Sequence, residues 1–341
     1  MYGDNMSYEK KIIYSENEGI NFPYILYVPE KMSENASLII DIKTPNSMKG
    51  NVDDMINELV NEEISYNPAM LMKKLNYPVI IPVIPRPVGF YTSYLGSNII
   101  NNDFTCLHGN VPKEDEDKFK DIDMQVYNMI KEANQLLSLD SKAIINGYSA
   151  GSKFATGFSI LHPDIICCNI SGATGGLSTL PTKNIGDINL PYPIGVGNIN
   201  FDEENFMKIK HFFYMGNEDI NNPALPLCEL SGEKDVNGNP LPKRNQDGSI
   251  VYKYDVDGKL LPFYDCYNKE EVNIIDKLYG QDNLKRFKIN EMLYNELGVD
   301  CVHKIYKGNH RTLFQLNREE LINDMIETIQ LAKQNDLENK I

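Results

Sequence analysis

Short apolar runs recur along the chain, separated by longer amphipathic stretches. Parallel strands need a crossover between them, and a helix is the usual crossover, so this alternation points to an α/β fold. The expected architecture is a mostly parallel central sheet with helices on both faces. Strands are predicted at residues 37–42 (SLIIDI), 142–146 (KAIIN), 164–172 (DIICCNISG), 211–216 (HFFYMG) and 301–306 (CVHKIY). Residues 77–85 (YPVIIPVIP) read as a further strand, whose prolines fit only its ends or an irregular stretch. Residues 11–30 read as two strands joined by a turn at 17–19, forming an antiparallel edge. Helices are predicted over 53–75, with a break near Pro68, and over 118–137, 150–161, 268–297 and 318–334. The helix at 150–161 stops where His162 meets Pro163, and Gly298 stops the one at 268–297.

A chain of 341 residues with 42% hydrophobic residues has enough apolar side chain for one large core. Residues 1–341 are therefore read as a single domain. The 33 Lys and Arg against 48 Asp and Glu give a net charge of −15. A field of that sign repels phosphate backbones and anionic lipid, which weighs against nucleic acid as a partner. No run approaches the ~20 apolar residues of a membrane span. The N-terminal MYGDNMSYEKK has early acidic residues and no apolar core of a secretory leader. Cys106, Cys167, Cys168, Cys228, Cys266 and Cys301 show neither CxxC nor metal-site spacing. Adjacent Cys167 and Cys168 would point to opposite faces of a strand and could not pair easily. Reduced thiols and a cytoplasmic location are the expectation. A chain trimmed of a secretory leader would look the same, so secretion stays open.

Two stretches depart from the alternation. Residues 173–208 are rich in Gly, Pro and Asn and read as a loop-rich, cap-like insertion over the sheet. Within 220–267 the pairs Asn237 and Gly238, Asp247 and Gly248, and Asp257 and Gly258 recur with a period of ten. Such pairs favour two-residue hairpin turns, because both positions tolerate positive φ. This segment reads as an inserted β-meander. DVNGN and DVDGK also look like calcium loops, but an EF-hand loop needs its Gly at the sixth position, and here it is the fourth. No metal and no cofactor is implied.

GYSAG at 147–151 has the G-x-S-x-G spacing, with an apolar strand before it and a helix after it. That setting makes it a nucleophile elbow: a sharp strand-to-helix turn that exposes Ser149 Oγ above the sheet. Gly147, Ala150 and Gly151 are small because larger side chains would strike the adjoining elements. The Ala150 N–H, at the start of the helix, can bind a developing oxyanion. Asp219 follows the HFFYMG strand, where Gly216 permits a turn; Glu218 is the competing acid. His310 follows the last strand in a Gly-containing loop, from which its ring can reach Ser149. Of the other histidines, His162 precedes a proline at a helix end, and His211 and His303 lie in or beside strands. His108 could only contact substrate.

The chain order Ser, Asp, His is that of the α/β-hydrolases, and the chain resembles that superfamily over nearly its whole length. The segment IPRPVGFYTSYL ending at Leu95, YPIGVGN (192–198), YMGNEDINNP (214–223) and ELGVDCVHKIYKGNH (296–310) carry a more specific likeness. They resemble bacterial esterases of the polyhydroxybutyrate-depolymerase, feruloyl-esterase and dienelactone-hydrolase type. The resemblance implies that Ser149, Asp219 and His310 form the catalytic triad of a carboxylic-ester hydrolase acting on a small-molecule or oligomeric ester. The family often has a Gly-rich oxyanion loop after the strand at 37–42. Here KTPNSMKG (43–50) has no such motif and Pro45 has no N–H, so Thr44 is the candidate second donor. Tyr91 and Tyr94, after a parallel strand, are candidate substrate contacts, as is Tyr148 beside the nucleophile.

Fold alone does not fix the reaction. A peptidase of the prolyl-oligopeptidase type shares fold and triad order but normally carries a large propeller, for which this length leaves no room. An acyltransferase would need a pocket that excludes water. A catalytically silent binding protein on the same scaffold is the remaining alternative, and the three triad residues argue against it.

Overall fold

A computed structural model describes residues 7–43, 51–85, 113–221, 229–234, 240–246, 251, 267 and 269–338. At its centre lie eight strands: β1 (Tyr8–Ile13), β2 (Tyr24–Pro29), β3 (Ile39–Ile42), β4 (Val79–Pro82), β5 (Ala143–Tyr148), β6 (Ile166–Gly172), β9 (Lys210–Gly216) and β12 (Cys301–Tyr306). They form one sheet in the order β1-β2-β4-β3-β5-β6-β9-β12. Only β2 runs against its neighbours; every pairing from β4 to β12 is parallel. The antiparallel edge predicted from residues 11–30 is β1 with β2, and Gly19 takes φ +82° in the turn between them.

Buried strands such as IIDI and VIIP, fully apolar or nearly so, reflect a sheet covered on both sides. Alternation along the strands shows which helix covers which face. Lys304 and Tyr306 of β12 both bond Asp324 of α9 (Arg318–Glu338), so α9 covers one face. The short α8 (Leu313–Leu316) leads from β12 into it. Ser171 of β6 donates to Ser152 O of α4 (Ala150–Leu161), and Phe213 of β9 packs its ring on Tyr294 of α7 (Asn283–Glu296). These two helices lie on the other face, with α3 (Ile122–Leu137) beside α4 through a contact between His162 and Asp123 at 2.8 Å. Among the described residues, no helix is long and apolar enough to cross a membrane.

The predicted helix over 53–75 is two helices, α1 (Val52–Val60) and α2 (Tyr66–Leu75). The break lies at residues 61–65, and Pro68 sits inside the first turn of α2. A first-turn residue has no intrahelical acceptor for its N–H, so proline there costs the helix nothing. The region 268–297 likewise divides into α6 (Lys269–Tyr279) and α7, and Gly298 at φ +74° ends it.

Within 173–208, residues 173–180 are buried, and α7 holds them: Tyr294 Oη donates to Thr179 O at 2.6 Å and Asn290 Nδ2 to Ser178 O at 3.3 Å. Beyond them come a small hairpin of β7 (Asn184–Ile185) with β8 (Ile188–Asn189) and the short helix α5 (Glu203–Phe206). Of the segment 220–267, the described residues contain β10 (Leu230–Lys234) paired antiparallel with β11 (Pro240–Pro242). Val251 also bonds Glu229 and Lys243 through the main chain. The repeated turns at 237–238, 247–248 and 257–258 lie outside the described residues.

The face under α7 carries two histidines, His211 buried and His303 half-buried. Asn169 Nδ2 donates to His211 Nδ1 at 3.1 Å, and His303 Nε2 donates to Asn290 Oδ1 at 3.2 Å. Among the described residues, nothing bonds the remaining ring nitrogens, His211 Nε2 and His303 Nδ1. Phe206, Phe213, Phe287 and Tyr294 surround the two rings. Burial, with neighbouring His303 and Lys210 adding to it, lowers His211 to about 3, and burial lowers His303 to about 4. An unfolded chain binds protons on both rings below its ordinary value near 6.5. The folded chain refuses them, so stability is full above that value and falls as pH drops toward 4. Asp41, raised to about 6 by burial, acts in the opposite sense below pH 6 but is one group against two. We expect the melting temperature to fall steadily from pH 6.5 to 4.5. His211→Gln or His303→Gln should each flatten the slope by about one proton, roughly 1.4 kcal/mol per pH unit. Thermal melts across that range check it, and parallel slopes in wild type and both variants would refute it.

Candidate active site

Three loops at the carboxyl ends of β5, β9 and β12 converge on one point. The first is the elbow. Ser149 caps α4 with φ +57° and ψ −119°, outside the regions that L-residues prefer. Such a conformation costs about 1–3 kcal/mol and persists only where surroundings enforce it. Here its N–H donates to Gly172 O at 2.9 Å. The flanking glycines leave no room for a side chain. A Cβ on Gly147 would lie 2.3 Å from Gly151 O, and one on Gly151 would lie 2.1 Å from Ile42 O. The predicted reason for small residues in GYSAG is thus met by backbone contacts within the elbow and with β3.

The second loop carries the acid. Asp219 N donates to Gly216 O at 3.1 Å, turning the chain back over the end of β9. Its side chain has no exposed surface. Oδ1 accepts from Asn221 N at 2.9 Å and Oδ2 from His310 Nδ1 at 2.9 Å. Glu218, the competing acid, is exposed, and its N–H donates to Gly308 O at 3.0 Å. The third loop carries His310. Asn309 Oδ1 accepts from Arg311 N and Thr312 N, and Gly308, at φ +112°, donates to Asn217 Oδ1 at 2.9 Å. The second and third loops meet main chain to main chain, since a Cβ on Gly216 would lie 2.1 Å from Gly308 O.

Ser149 Oγ donates to His310 Nε2 at 3.0 Å, completing a line from hydroxyl through imidazole to carboxylate. Because Nδ1–H is held by Asp219, Nε2 is left as the acceptor. Ser149 and His310 are half-buried while Asp219 is sealed, so the open end of the line is the hydroxyl. Ala150 is the first residue of α4, and among the described residues nothing accepts from its N–H.

Tyr148 Oη donates to His310 O at 2.5 Å, and its ring packs on Phe314 at 4.4 Å between centroids. It lies 5.1 Å from the His310 ring. Tyr148, predicted as a substrate contact, is half-buried beneath the histidine loop with its hydroxyl engaged. Thr44, Tyr91, Tyr94 and His108 lie outside the described residues. His162, His211 and His303 are held elsewhere, by Asp123, Asn169 and Asn290.

Two asparagines of the site escape a reading of the sequence. Asn221 Nδ2 lies 3.4 Å from His310 Nε2, on the nitrogen that faces Ser149. Asn283, at the start of α7, donates to Asp219 O at 3.1 Å and Asn221 O at 2.9 Å, pinning the acid loop from outside. Asn221 leaves a local signal, because an Asp often accepts from the N–H two residues on. Nothing local to Asn283 points to a loop more than sixty residues earlier.

The strand order, the single reversed strand β2 and the elbow after β5 decide the architecture. The fold is an α/β-hydrolase fold. No protein-family profile and no curated protein matches the sequence. Among solved structures, poly(aspartic acid) hydrolase-1 from Sphingomonas sp. KT-1 is 14% identical, covering 97% of this chain and 99% of its own, with a TM-score of 0.48. The poly(3-hydroxybutyrate) depolymerase LpqC from Bordetella parapertussis is 11% identical over 89% of this chain and 85% of its own, with a TM-score of 0.46. A ferulic acid esterase is 9% identical over 97% of this chain and 100% of its own, also at 0.46.

Proposed function

We propose that this chain is a serine hydrolase that cleaves carboxylic esters through an acyl-enzyme on Ser149. The observation that carries the reading is the continuous hydrogen-bonded line from Ser149 Oγ through His310 to buried Asp219, at 3.0 and 2.9 Å. His310 Nε2 takes the Ser149 proton as Oγ attacks the ester carbonyl. Asp219 fixes the tautomer and stabilises the imidazolium that forms. The protonated ring then delivers its proton to the departing alkoxide. Water, deprotonated by the same nitrogen, releases the acid product. The developing oxyanion is met by the Ala150 N–H at the positive end of α4. Thr44, in the segment after β3, is the candidate second donor.

A fluorophosphonate probe and a series of p-nitrophenyl esters of increasing acyl length test the reading together. The expected result is one covalent adduct on the Ser149 peptide, with hydrolysis of at least the shorter esters blocked by that adduct. Labelling without hydrolysis of any ester would direct the reaction class elsewhere, toward amides or acyl transfer. No labelling at all would leave a binding protein on this scaffold.

A further inference from the structure

Lys153 lies one turn into α4, and nothing in the triad chemistry uses it. Its Nζ is closed off from solvent, yet among the described residues it has no hydrogen-bond acceptor and no carboxylate at ion-pair distance. The contact it does make is with the face of Tyr267, with the ammonium 4.0 Å from the ring centroid. A tyrosine ring attracts a cation through its quadrupole but carries no charge and accepts none of the three N–H bonds in the ordinary way. Buried ammonium groups are normally paired, and one left unpaired calls for a partner from outside the chain.

The position of the ammonium says where that partner would sit. Lys153 N donates to Ser149 O at 3.4 Å, so the lysine lies one turn below the nucleophile, and Lys153 and Gly157, spaced by four, form one stripe along the helix. Tyr192 closes the far end of the stripe: a Cβ on Gly157 would lie 2.4 Å from Tyr192 Oη. Side chains on a helix lean toward its N-terminus, so the Lys153 stem runs back toward Ser149. The unpaired charge therefore lies on the turn of α4 that the nucleophile caps.

We propose that Lys153 is an anion-recognition residue of the substrate site, and that the preferred ester carries a carboxylate, as in a half-ester of a short dicarboxylic acid. This rests on the esterase reading above. On binding, the Tyr267 ring gives way and the substrate carboxylate takes its place against the Lys153 ammonium, while the ester carbonyl lies against Ser149 Oγ. The charge is set on the acyl side or the alcohol side of the scissile bond.

The test compares charged and neutral esters within each enzyme form. For the acyl side the pair is p-nitrophenyl hydrogen glutarate and p-nitrophenyl pentanoate. For the alcohol side it is 4-carboxyphenyl acetate and phenyl acetate. In wild type, kcat/KM for the charged ester should exceed that for its neutral partner at least tenfold in one of the two pairs. Lys153→Met should bring that ratio down at least tenfold, and Lys153→Arg should largely keep it. Because each ratio is internal to one variant, a general loss of active protein cancels. Equal ratios in wild type and Lys153→Met for both pairs would overturn the proposal and leave the esterase reading standing. Calorimetry with monomethyl glutarate supplies a readout independent of turnover. Binding to Ser149→Ala that weakens at least tenfold in Ser149→Ala/Lys153→Met supports the anion site even if no ester is hydrolysed. Binding that is equal in the two, or absent from both, counts against it.

Discussion

Replacing Ser149 by alanine is expected to lower ester hydrolysis by about 10⁴ to 10⁶-fold while leaving the fold intact. The size of the loss follows from removing the only atom that bonds to the carbonyl carbon. What remains is the Ala150 N–H and the binding site, which orient an ester for attack by water and no more. The intact fold is a separate expectation with its own reasons. Alanine keeps the Cβ, so the backbone strain at φ +57° is unchanged. Among the described residues the Ser149 hydroxyl bonds His310 Nε2 alone, and the bonds that hold the elbow are made by the Ser149 main chain. A melting temperature within a few degrees of wild type should therefore accompany the lost activity. A well-folded variant that still turns over an activated ester near the wild-type rate would remove Ser149 from the reaction.

The second large effect concerns the acid. Asp219→Asn should lower kcat by about 10⁴, the loss that the same change brings in the serine-protease triad. An amide can turn its N–H toward Nδ1 and force the proton onto Nε2. The ring would then face Ser149 with a donor and could not accept its proton. Glu218→Gln should change kcat by less than about twofold, the small effect expected of an exposed site away from the chemistry. Glu218 contributes its main-chain N–H to the loop, which glutamine retains. One activated ester, assayed with both variants, separates the two. A crippled Glu218→Gln beside an active Asp219→Asn would reverse the assignment. Asp219 Oδ1 also accepts from Asn221 N, a bond that the asparagine oxygen keeps when its amide N–H turns to His310, so the loss in Asp219→Asn reads the tautomer and not the loop. Asn221→Ala, which keeps that N–H, reports how much the neighbouring amide at 3.4 Å from Nε2 contributes by itself.

The strands and the line of Ser149, His310 and Asp219 are legible in the sequence for a common reason. Each depends on local pattern: an apolar run, then a glycine that lets the chain turn, then a polar residue at the strand end. GYSAG, YMGNED and KGNH all have that form. The break expected near Pro68 falls earlier because proline is unfavourable within a helix but harmless in its first turn, and sequence alone does not show where α2 begins. Lys153 and Asn283 are invisible for a different reason. Lys153 matters because no acid among the described residues reaches it, and a missing partner leaves no mark on the sequence. Asn283 matters because α7 docks against the Asp219 loop, a contact between segments far apart in the chain. The ring contacts of Tyr148 with Phe314 and Tyr214 join segments far apart in the chain and likewise leave no local mark.

The contact between Gly216 and Gly308 has a mechanical consequence. Asn217, Glu218 and Gly308 are bonded to one another through the main chain and one amide side chain, so the loops bearing Asp219 and His310 form a single rigid jaw. Ser149 belongs to the opposite jaw, built from β5, β6 and the edge of β3. The β6–β9 ladder, ending in the bond from Ala173 N to Tyr214 O at 2.7 Å, joins the two jaws at their base; at the site they meet through the Tyr148 hydroxyl, tucked under His310 O, and the Oγ to Nε2 bond. Shear at this edge of the sheet would open the gap between hydroxyl and imidazole while leaving imidazole and carboxylate together. Heat or denaturant would then part the hydroxyl from the imidazole before it parted the imidazole from the carboxylate behind it.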